Sequence, residues 1–271
     1  MDQNTLHELQ MTELEILKKV HMICEKNELK YYLVGGTLLG AIRHGGFIPW
    51  DDDLDIALPR KDYNKFIKLC QNGALGKKYY LHHTVTDPEY WLPFAKIKKN
   101  NTLFDEDNYK NINCHKGIFI DIFPLDYCNQ NSGLFYDLRA KIIKKLSYVI
   151  QMRKLSKPTV GLLTTLFFIG TKPLTIKKLS NIRDSLCSHC DSGPYIINYG
   201  SNYKYSKQTM PREYYEPAVK VQFEDGEFYA PNQFVKYLEH LFKNWEQLPS
   251  EEERRNHNPS TIIFDTTVKG N

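Results

Sequence analysis

The sequence lacks the features that mark membrane-spanning, secreted and nucleic-acid-binding proteins. Its longest apolar segment, residues 160–170, is about half the length that a helix needs to cross a bilayer. The first twenty residues are acidic and helix-patterned, without the basic start and apolar stretch of a secretory signal. The net charge is only +4 over 271 residues, which falls short of a nucleic-acid-binding signature. We therefore expect a cytoplasmic protein with no nucleic acid partner.

A complete zinc motif is also missing. The six cysteines are expected to be reduced in the cytoplasm. Cys187 and Cys190 have the spacing of half a zinc site, but no second Cys/His pair with comparable spacing follows. Cys114, His115 and Cys128 would complete such a site only by coincidence of folding. The sequence therefore argues against a zinc centre.

What the sequence does have is an ordinary globular composition, 41% hydrophobic and 25% charged, with no internal repeat and no long linker. Its apolar periodicity predicts helices at residues 5–29, 37–43, 63–71, 134–155 and 234–245. It predicts strands at residues 31–34, 54–58, 77–83, 94–98, 118–123, 195–198 and 219–223. Pro59 and Pro124 are expected to end the strands that precede them, and Asp62 to cap the helix that follows it.

A glycine-rich turn precedes the second predicted strand. The backbone amides of Gly35 and Gly36 have no side chains in the way and can cradle a phosphate. A GG pair alone is often only a turn. Here a predicted helix opens at Thr37, and its N-terminus would add free N–H groups and the positive end of its dipole. The turn is therefore a candidate phosphate site.

Four aspartates follow at the head of this apolar strand. Asp53 and Asp55 are two residues apart, so they point to the same side of the strand, close enough to share a hard cation such as Mg²⁺. Leu54 and Ile56 then face the core. A carboxylate at a buried strand edge is costly unless it binds a cation or a partner, which favours a metal role for this pair. Asp51 and Asp52 have the simpler interpretation of a solvated loop.

A fifth aspartate, Asp121, interrupts the near-continuous apolar strand at residues 118–123. It is a candidate third metal ligand, or the group that accepts a proton from an attacking hydroxyl. The alternative is a structural aspartate that is hydrogen-bonded in the core.

Candidate phosphate clamps are basic residues near these motifs: Arg43, His44, Lys96 and Lys98. Each by itself has the simpler interpretation of a surface charge, and Arg43 is the best candidate because it shares the glycine-rich loop. Tyr32 and Trp50 would stack on a base or, by default, pack in the core.

Two segments carry a resemblance: GGTLLGAIRHGGFIPWDDDLDIALPRKDY and KGIFIDIFPLD. They resemble the LicD family of phosphotransferases, which includes bacterial phosphocholine transferases and is related to the fukutin-type ribitol-phosphate transferases. The resemblance is highly specific over residues 31–70 and 115–127 and looser at 92–104 and 213–250. HLFKNWEQLP stands where the family commonly has a Tyr-Gly-Asp-like element, so acceptor-side details are not transferred.

This resemblance implies a nucleotidyltransferase-like α/β (α+β) fold, a mixed β-sheet core flanked by helices with a helical and irregular C-terminal part. Residues 1–130 would form the catalytic core, 131–190 a basic helical insertion, and 191–271 a part that packs on the core and contributes to the acceptor side. The family signature falls on Gly35, Gly36 and Thr37, on Asp53 and Asp55, and on Asp121.

The resemblance also implies a reaction. A substituted phosphate such as phosphocholine would pass from a CDP-linked donor to a sugar hydroxyl of a surface glycan (lipopolysaccharide, teichoic acid or capsule), with release of CMP. Two Mg²⁺ ions, with Mn²⁺ as the alternative, would be held by Asp53, Asp55 and Asp121, and no organic cofactor is implied. The transferred group and the acceptor sugar are not readable from the sequence.

Three other interpretations stay open at this stage. A nucleotidyltransferase of this fold would move NMP from an NTP and release pyrophosphate, and a non-catalytic module would bind nucleotide only. Separately, the basic helix at residues 134–155 and the apolar segment after it would dock on an anionic inner leaflet that presents a lipid-linked glycan. The alternative is a buried helix with solvated basic flanks, since Thr164 and Thr165 interrupt the apolar run.

Overall fold

The computed structural model describes residues 1–158, 160–254, 256 and 259–266. Apolar runs rich in β-branched and aromatic residues form its strands. In chain order these are β1 (Tyr32–Leu33), β2 (Asp55–Pro59), β3 (Tyr79–His82), β4 (Ala95–Lys99), β5 (Leu103–Asp105), β6 (Phe119–Cys128), β7 (Tyr195–Ile197), β8 (Thr209–Pro211), β9 (Val219–Phe223), β10 (Gly226–Ala230) and β11 (Thr261–Ile263).

Segments with helical periodicity form the helices. They are α1 (Gln3–Lys26), α2 (Gly35–His44), α3 (Arg60–Gln71), α4 (Leu134–Lys154), α5 (Leu162–Gly170), α6 (Ile176–Cys187), α7 (Tyr205–Gln208), α8 (Arg212–Tyr215) and α9 (Phe234–Phe242). Short 3₁₀ turns lie at Asp107–Tyr109 and Glu251–Glu253. None of the helices in the described residues is long and apolar enough to span a bilayer.

A mixed sheet forms the centre of the molecule. Its strands run in the order β1-β2-β6-β4-β3, and β7 and β8 extend it from the C-terminal half of β6. The β2–β6 pair is parallel, and the other pairs are antiparallel. Helix α1 packs on β4 and β6, and α3 packs on β2, β3 and β6. This arrangement confirms the predicted α+β class, with a mixed sheet flanked by helices.

The hydrophobic core lies mainly between the sheet and its helices, and the segment from α4 to α6 packs through two smaller clusters. One gathers Trp91, Leu146 and Ile176, and the other gathers Tyr136 and Ile143 with residues of β6 and β7. Because β7 pairs with β6, the C-terminal part of the chain supplies strands to the same sheet as the N-terminal part.

Strand β6 continues past Pro124 to Cys128, so the prediction that Pro124 ends it is wrong. Strand β4 pairs only with residues 119–122 of β6, and β7 only with 126–128. Among the described residues, Pro124 therefore has a strand neighbour only on the β2 side. The Asp121 N–H donates toward β2, to the Leu54 carbonyl, so by the alternation of a strand the Pro124 nitrogen faces away from β2, and its missing N–H costs no ladder bond. Helix α3 begins at Arg60 rather than after Asp62, which lies within its first turn.

A buried ion pair fixes the far end of β6 to the start of α3. Arg60 donates from Nε and an Nη nitrogen to the two carboxylate oxygens of Asp126, at 2.7 Å each. The Asp126 side chain is fully buried, so this bidentate geometry is needed to offset the loss of its hydration.

Candidate active site

Three charged side chains form a row across the middle of the sheet. Asp55, the first residue of β2, is in register with Asp121 on β6, and Asp121 is in register with Lys96 on β4. Residues paired in this way project from the same face of a sheet. The Lys96 ammonium lies 2.7 Å from the Asp121 carboxylate. The sheet thus brings together two aspartates that are 66 positions apart in the sequence.

The glycine turn lies directly against this row. Gly35 begins α2 with a positive φ of 58°, a conformation that favours glycine. Its N–H donates to the Tyr237 hydroxyl at 3.2 Å, and a Cβ built there would lie 3.4 Å from Asp55 Oδ2. The backbone N–H of Asp55 donates to the buried Thr37 hydroxyl at 2.8 Å. The start of α2 is therefore tied to the start of β2.

Successive side chains of residues 51–55 alternate between a cavity and the protein interior. Asp51, Asp53 and Asp55 line a cavity, whereas Asp52 and Leu54 are buried on the other side. The predicted sidedness of Asp53 and Asp55 is confirmed. The solvated-loop interpretation is wrong for Asp52, which is only 2% exposed, whereas Asp51 is half-buried and lines the cavity beside the other two.

Gly36 is needed for the position of Asp51. A Cβ at Gly36 would lie 2.8 Å from Asp51 Oδ2, closer than carbon and oxygen normally approach. The carboxylate of Asp51 therefore packs onto the bare Cα of the second residue of α2. A helix N-terminus favours negative charge at this place, which suits both Asp51 and a bound phosphate.

The negative charges raise one another's proton affinity. Burial, and then the charges of Asp53, Asp121 and Asp51, raise the pKa of Asp55 well above its usual range. Glu13 of α1 is 2% exposed, and burial followed by the charge of Asp53 raises its pKa in the same way. A cation entering the site would relieve this repulsion.

Two cavities meet at Asp121. The first, which we call the aspartate cavity, has a volume of about 340 Å³ and is lined by the glycine turn, the aspartates and aromatic residues of α9. The second, the aromatic cavity, has a volume of about 450 Å³ and extends between β4 and α4. Both are bordered by Phe94 and by residues 200–203. A ligand bound at Asp121 would therefore reach into both.

The donor set of the aspartate cavity is that of a hard-cation site. Carboxylate oxygens are the ligands that Mg²⁺ prefers, and it usually completes its shell with water and phosphate oxygens. Among the described residues, no three His, Cys, Asp or Glu side chains are already gathered as a coordination sphere. Asp53, Asp55 and Asp121 nevertheless line one cavity. The burial and mutual repulsion at Asp55 fit a site that a cation would complete.

Other predicted site residues are placed differently. Arg43 does not line either cavity, and its Nη1 donates to the carbonyls of Trp245 at 2.8 Å and Gln247 at 3.3 Å. Lys96 borders the aromatic cavity through its pair with Asp121. Lys98 donates to the carbonyl of His115, and burial lowers its pKa to about 8. The phosphate roles of Arg43 and Thr37 remain predictions.

The aromatic and cysteine candidates have structural surroundings. Tyr32 is fully buried and packs edge-on against Tyr215 at 5.4 Å, so its default interpretation as a core residue is confirmed. Cys187 is buried in the cluster under β7, and Cys190 accepts a hydrogen bond from Asn129 at 3.6 Å. Neither belongs to a metal cluster within the described ranges.

Sequence reasoning missed a loop that borders both cavities and a buried carboxyl group behind one of them. The loop of residues 198–203 borders both, and its signal was a glycine among polar and aromatic residues directly after a strand. Glu13 was also missed. Its signal was a charged residue on the apolar face of α1, four residues from both Leu9 and Leu17.

Comparison with known proteins is consistent with this geometry. Residues 28–156 match the nucleotidyltransferase domain shared by LicD, FKTN and FKRP. The chain is 28% identical over 270 residues to the lipopolysaccharide cholinephosphotransferase LicD of Haemophilus influenzae, covering 95% of this chain and 97% of that protein. It is 44% identical over 48 residues to the ribitol 5-phosphate transferase FKRP of human and of mouse, which is 18% of this chain and 10% of theirs.

Proposed function

Because the chain belongs to the LicD family of phosphotransferases, we propose that it transfers phosphocholine from a CDP-linked donor to a hydroxyl of a cell-surface glycan. The observation that carries the proposal is the pairing of Asp55 and Asp121 on adjacent parallel strands, beside the N-terminus of α2. The similarity along almost the whole chain to a lipopolysaccharide cholinephosphotransferase supports phosphocholine as the group and a lipopolysaccharide-type glycan as the acceptor.

The reaction is a single displacement at the phosphorus that carries choline. The acceptor oxygen forms a new P–O bond while the anhydride P–O bond to CMP breaks. CMP leaves with the bond's electron pair, and the hydroxyl proton passes to a carboxylate, for which Asp121 is the candidate, or to water. Such transfers depend mainly on positioning and on charge stabilisation.

Mg²⁺ is the proposed cofactor, with Mn²⁺ as the alternative, held by Asp53, Asp55 and Asp121. When bound, it would offset the negative charge of the donor's diphosphate and of the departing CMP. The chain's own part is to hold the phosphate at the N-terminus of α2, where the Gly36 amide is the candidate donor, because the Gly35 N–H donates to the Tyr237 hydroxyl. Lys96, paired with Asp121, keeps a positive charge beside the reacting phosphate.

The aromatic cavity suits the choline group. Trp91, Tyr109 and Tyr148 are among its lining residues, together with the carboxylate of Glu106 and the ammonium groups of Lys96 and Lys144. A quaternary ammonium is attracted to aromatic faces and cannot donate a hydrogen bond, so such a lining selects it by electrostatics and shape. Both cavities are lined by Asp121, which supports a choline group in the aromatic cavity with its phosphate in the aspartate cavity.

The function is tested by CMP release from CDP-choline with Mg²⁺ and a lipopolysaccharide acceptor. We expect Asp55→Asn and Asp53→Asn to reduce turnover by about 1,000-fold, as loss of a principal electrostatic group does. Asp225→Asn is the matched control, because Asp225 is exposed and pairs only with Lys18 in the described part of the chain. Near-normal turnover in Asp55→Asn, or pyrophosphate release from an NTP instead of CMP release, would contradict the proposal.

The choline subsite is tested by replacing one ring. Tyr148→Leu should raise the KM for CDP-choline by about 2- to 30-fold, the range expected for loss of one cation–π contact. Tyr148→Phe keeps the ring face and should change KM little. A donor with an uncharged alcohol in place of choline should respond equally weakly to both substitutions. Equal losses for charged and uncharged donors would exclude cation–π recognition at this residue.

A further inference from the structure

Large apolar side chains are exposed along α4 and α5. Leu134 is 78% exposed, Phe135 76%, and Leu162 76%. We call the whole set the apolar patch. Its members are Leu134, Phe135, Leu138, Ile142, Val160, Leu162, Leu166 and Ile169. Exposed apolar residues are normal when scattered singly, but a contiguous set marks an interaction surface.

The spacing of these residues places most of them on one face of α4 and one face of α5, and the two faces adjoin. In α4, Leu134, Leu138 and Ile142 recur every four residues and therefore lie along one stripe. Lys145 is the next residue on this stripe, and its ammonium lies 5.8 Å from the ring centre of Phe167 in α5. The second half of α5 thus lies beside the end of the exposed stripe of α4. In α5, Leu162, Leu166 and Ile169 again share one face.

The charge of this segment is strongly positive. Residues 131–183 contain eleven Lys and Arg residues and a single acidic residue, Asp137. Since the whole chain has a net charge of only +4, the rest of it is net negative. The positive charge of the molecule is therefore concentrated in the segment that carries the apolar patch. Such an asymmetry points to an anionic surface as the partner.

We propose that the apolar patch docks this protein on the surface of an anionic lipid bilayer. The nine residues of α5 are too few to cross a bilayer, so the helix would lie in the interface plane with its apolar face among the lipid chains. The surrounding lysines would contact anionic head groups. A second copy of the chain is a poor occupant, because two such positive segments would repel each other.

Docking in this way would bring the aromatic cavity close to the bilayer. Lys144, Ser147, Tyr148 and Gln151 line that cavity from α4, the helix whose other face carries half of the apolar patch. The proposal goes beyond the reaction described above and does not depend on the donor. Helix α4 would then lie between the bilayer and the aromatic cavity. An acceptor anchored in the same bilayer would need to extend only past the width of α4 to reach Asp121.

Vesicle flotation tests the proposal without donor or acceptor. The wild-type chain should float with vesicles of phosphatidylglycerol and phosphatidylethanolamine, and not with phosphatidylcholine alone. About 1 M KCl should reduce binding at least several-fold, because lysine contacts with head groups are screened. The double variant Leu162→Ser/Leu166→Ser should lose about 10-fold or more in partitioning. Leu248→Ser is the matched control, an exposed leucine outside the patch.

Circular dichroism, CMP release from the donor and oligomeric state are measured on the same variants. Retained fold and turnover, with lost flotation, support the proposal, because the substituted leucines do not line either cavity. Flotation that is equal in the double variant and the wild type would overturn it. So would failure of the wild type to bind anionic vesicles, or a dimer that the double substitution dissociates. None of these results depends on whether the proposed transfer occurs.

Discussion

At the scale of single residues, the carboxylate side chains around the aspartate cavity carry more negative charge than the positively charged side chains beside them offset. Lys96 pairs with Asp121, but burial and neighbouring charges raise the pKa of both Asp55 and Glu13. Glu13 does not line the cavity; it lies behind it, buried on α1. A carboxyl in this position is most easily accommodated in its neutral, protonated form.

Glu13→Gln should therefore stabilise the protein at high pH and not at low pH. A carboxyl whose pKa is raised by folding contributes stability only while it is protonated, so stability falls as pH rises from the ordinary glutamate range through the raised pKa. We expect the melting temperature of Glu13→Gln in EDTA to exceed that of wild type by about 3 °C at about pH 8. At about pH 3.5, below the ordinary glutamate pKa, the two should be nearly equal, because Gln resembles protonated Glu.

Thermal scans at both pH values measure this effect, and Glu8→Gln on the exposed face of α1 is the control. An equal shift at the two pH values would show that Glu13 does not titrate as described.

Part of the site was predictable from single residues. The alternation around Asp53 and Asp55 follows from the period of a strand, and it needed no partner to be identified. The residues that surround Asp121 could not be predicted in this way. Its neighbours, Asp55 and Lys96, are set by which strands pair and in which register, and no local pattern carries that information. Asp52 was misjudged because a run of charges suggests solvent, whereas the strand period extends back through it.

At the scale of elements, the start of α2 joins the glycine turn to the aspartates of the cavity. The helix begins at Gly35, its second residue supports Asp51, and its third bonds to the backbone of β2. Gly45, in the left-handed conformation, ends it. A substitution at the start of this helix should therefore lower activity more than it lowers the stability of the fold.

Gly36→Ala tests this element. The new Cβ would meet Asp51 Oδ2, and the flexible carboxylate is the group that would move. We expect kcat/KM to fall by about 10-fold or more, since small displacements of catalytic groups are costly, while the melting temperature changes by no more than a few degrees. Gly170→Ala, where a Cβ meets nothing within 4 Å, is the control. Unchanged kinetics would mean that the position of Asp51 is unimportant.

Helices and strands could be predicted where the local sequence pattern determines them. Strand β6 was found, but not its continuation through Pro124, since only the strand order shows that the proline faces no partner there. Helix α6 was missed because Ser180 and Arg183 interrupt its buried face. Strand β11 was missed because its three residues become a strand only through pairing with β5.

On the scale of the whole molecule, the functional features occur where parts distant in sequence meet. The aspartate cavity joins the N-terminal strands to the loop of residues 198–203 and to α9, and the aromatic cavity joins β4 to α4. Cation binding at such a junction should stabilise the folded chain as a unit.

Mg²⁺ should therefore raise the melting temperature of the wild-type chain. A ligand at about 100 times its Kd adds about 2.7 kcal/mol to the free energy of unfolding, or about 5–10 °C for a chain of this size. Asp55→Asn should abolish the shift, yet melt higher than wild type in EDTA because it removes a buried charge. Differential scanning calorimetry with Asp225→Asn as control measures both effects. A Mg²⁺ shift that persists in Asp55→Asn would place the cation elsewhere.

The clustering of four aspartates in one cavity also determines the order in which the cation and the donor would bind. Asp51, Asp53, Asp55 and Asp121 carry the same sign of charge as a nucleoside diphosphate, so the bare donor is repelled at the entrance. Cation and donor would then enter as one complex, or the cation first. Initial rates should follow the concentration of the magnesium–donor complex, and donor in excess over magnesium should be a poor competitive inhibitor.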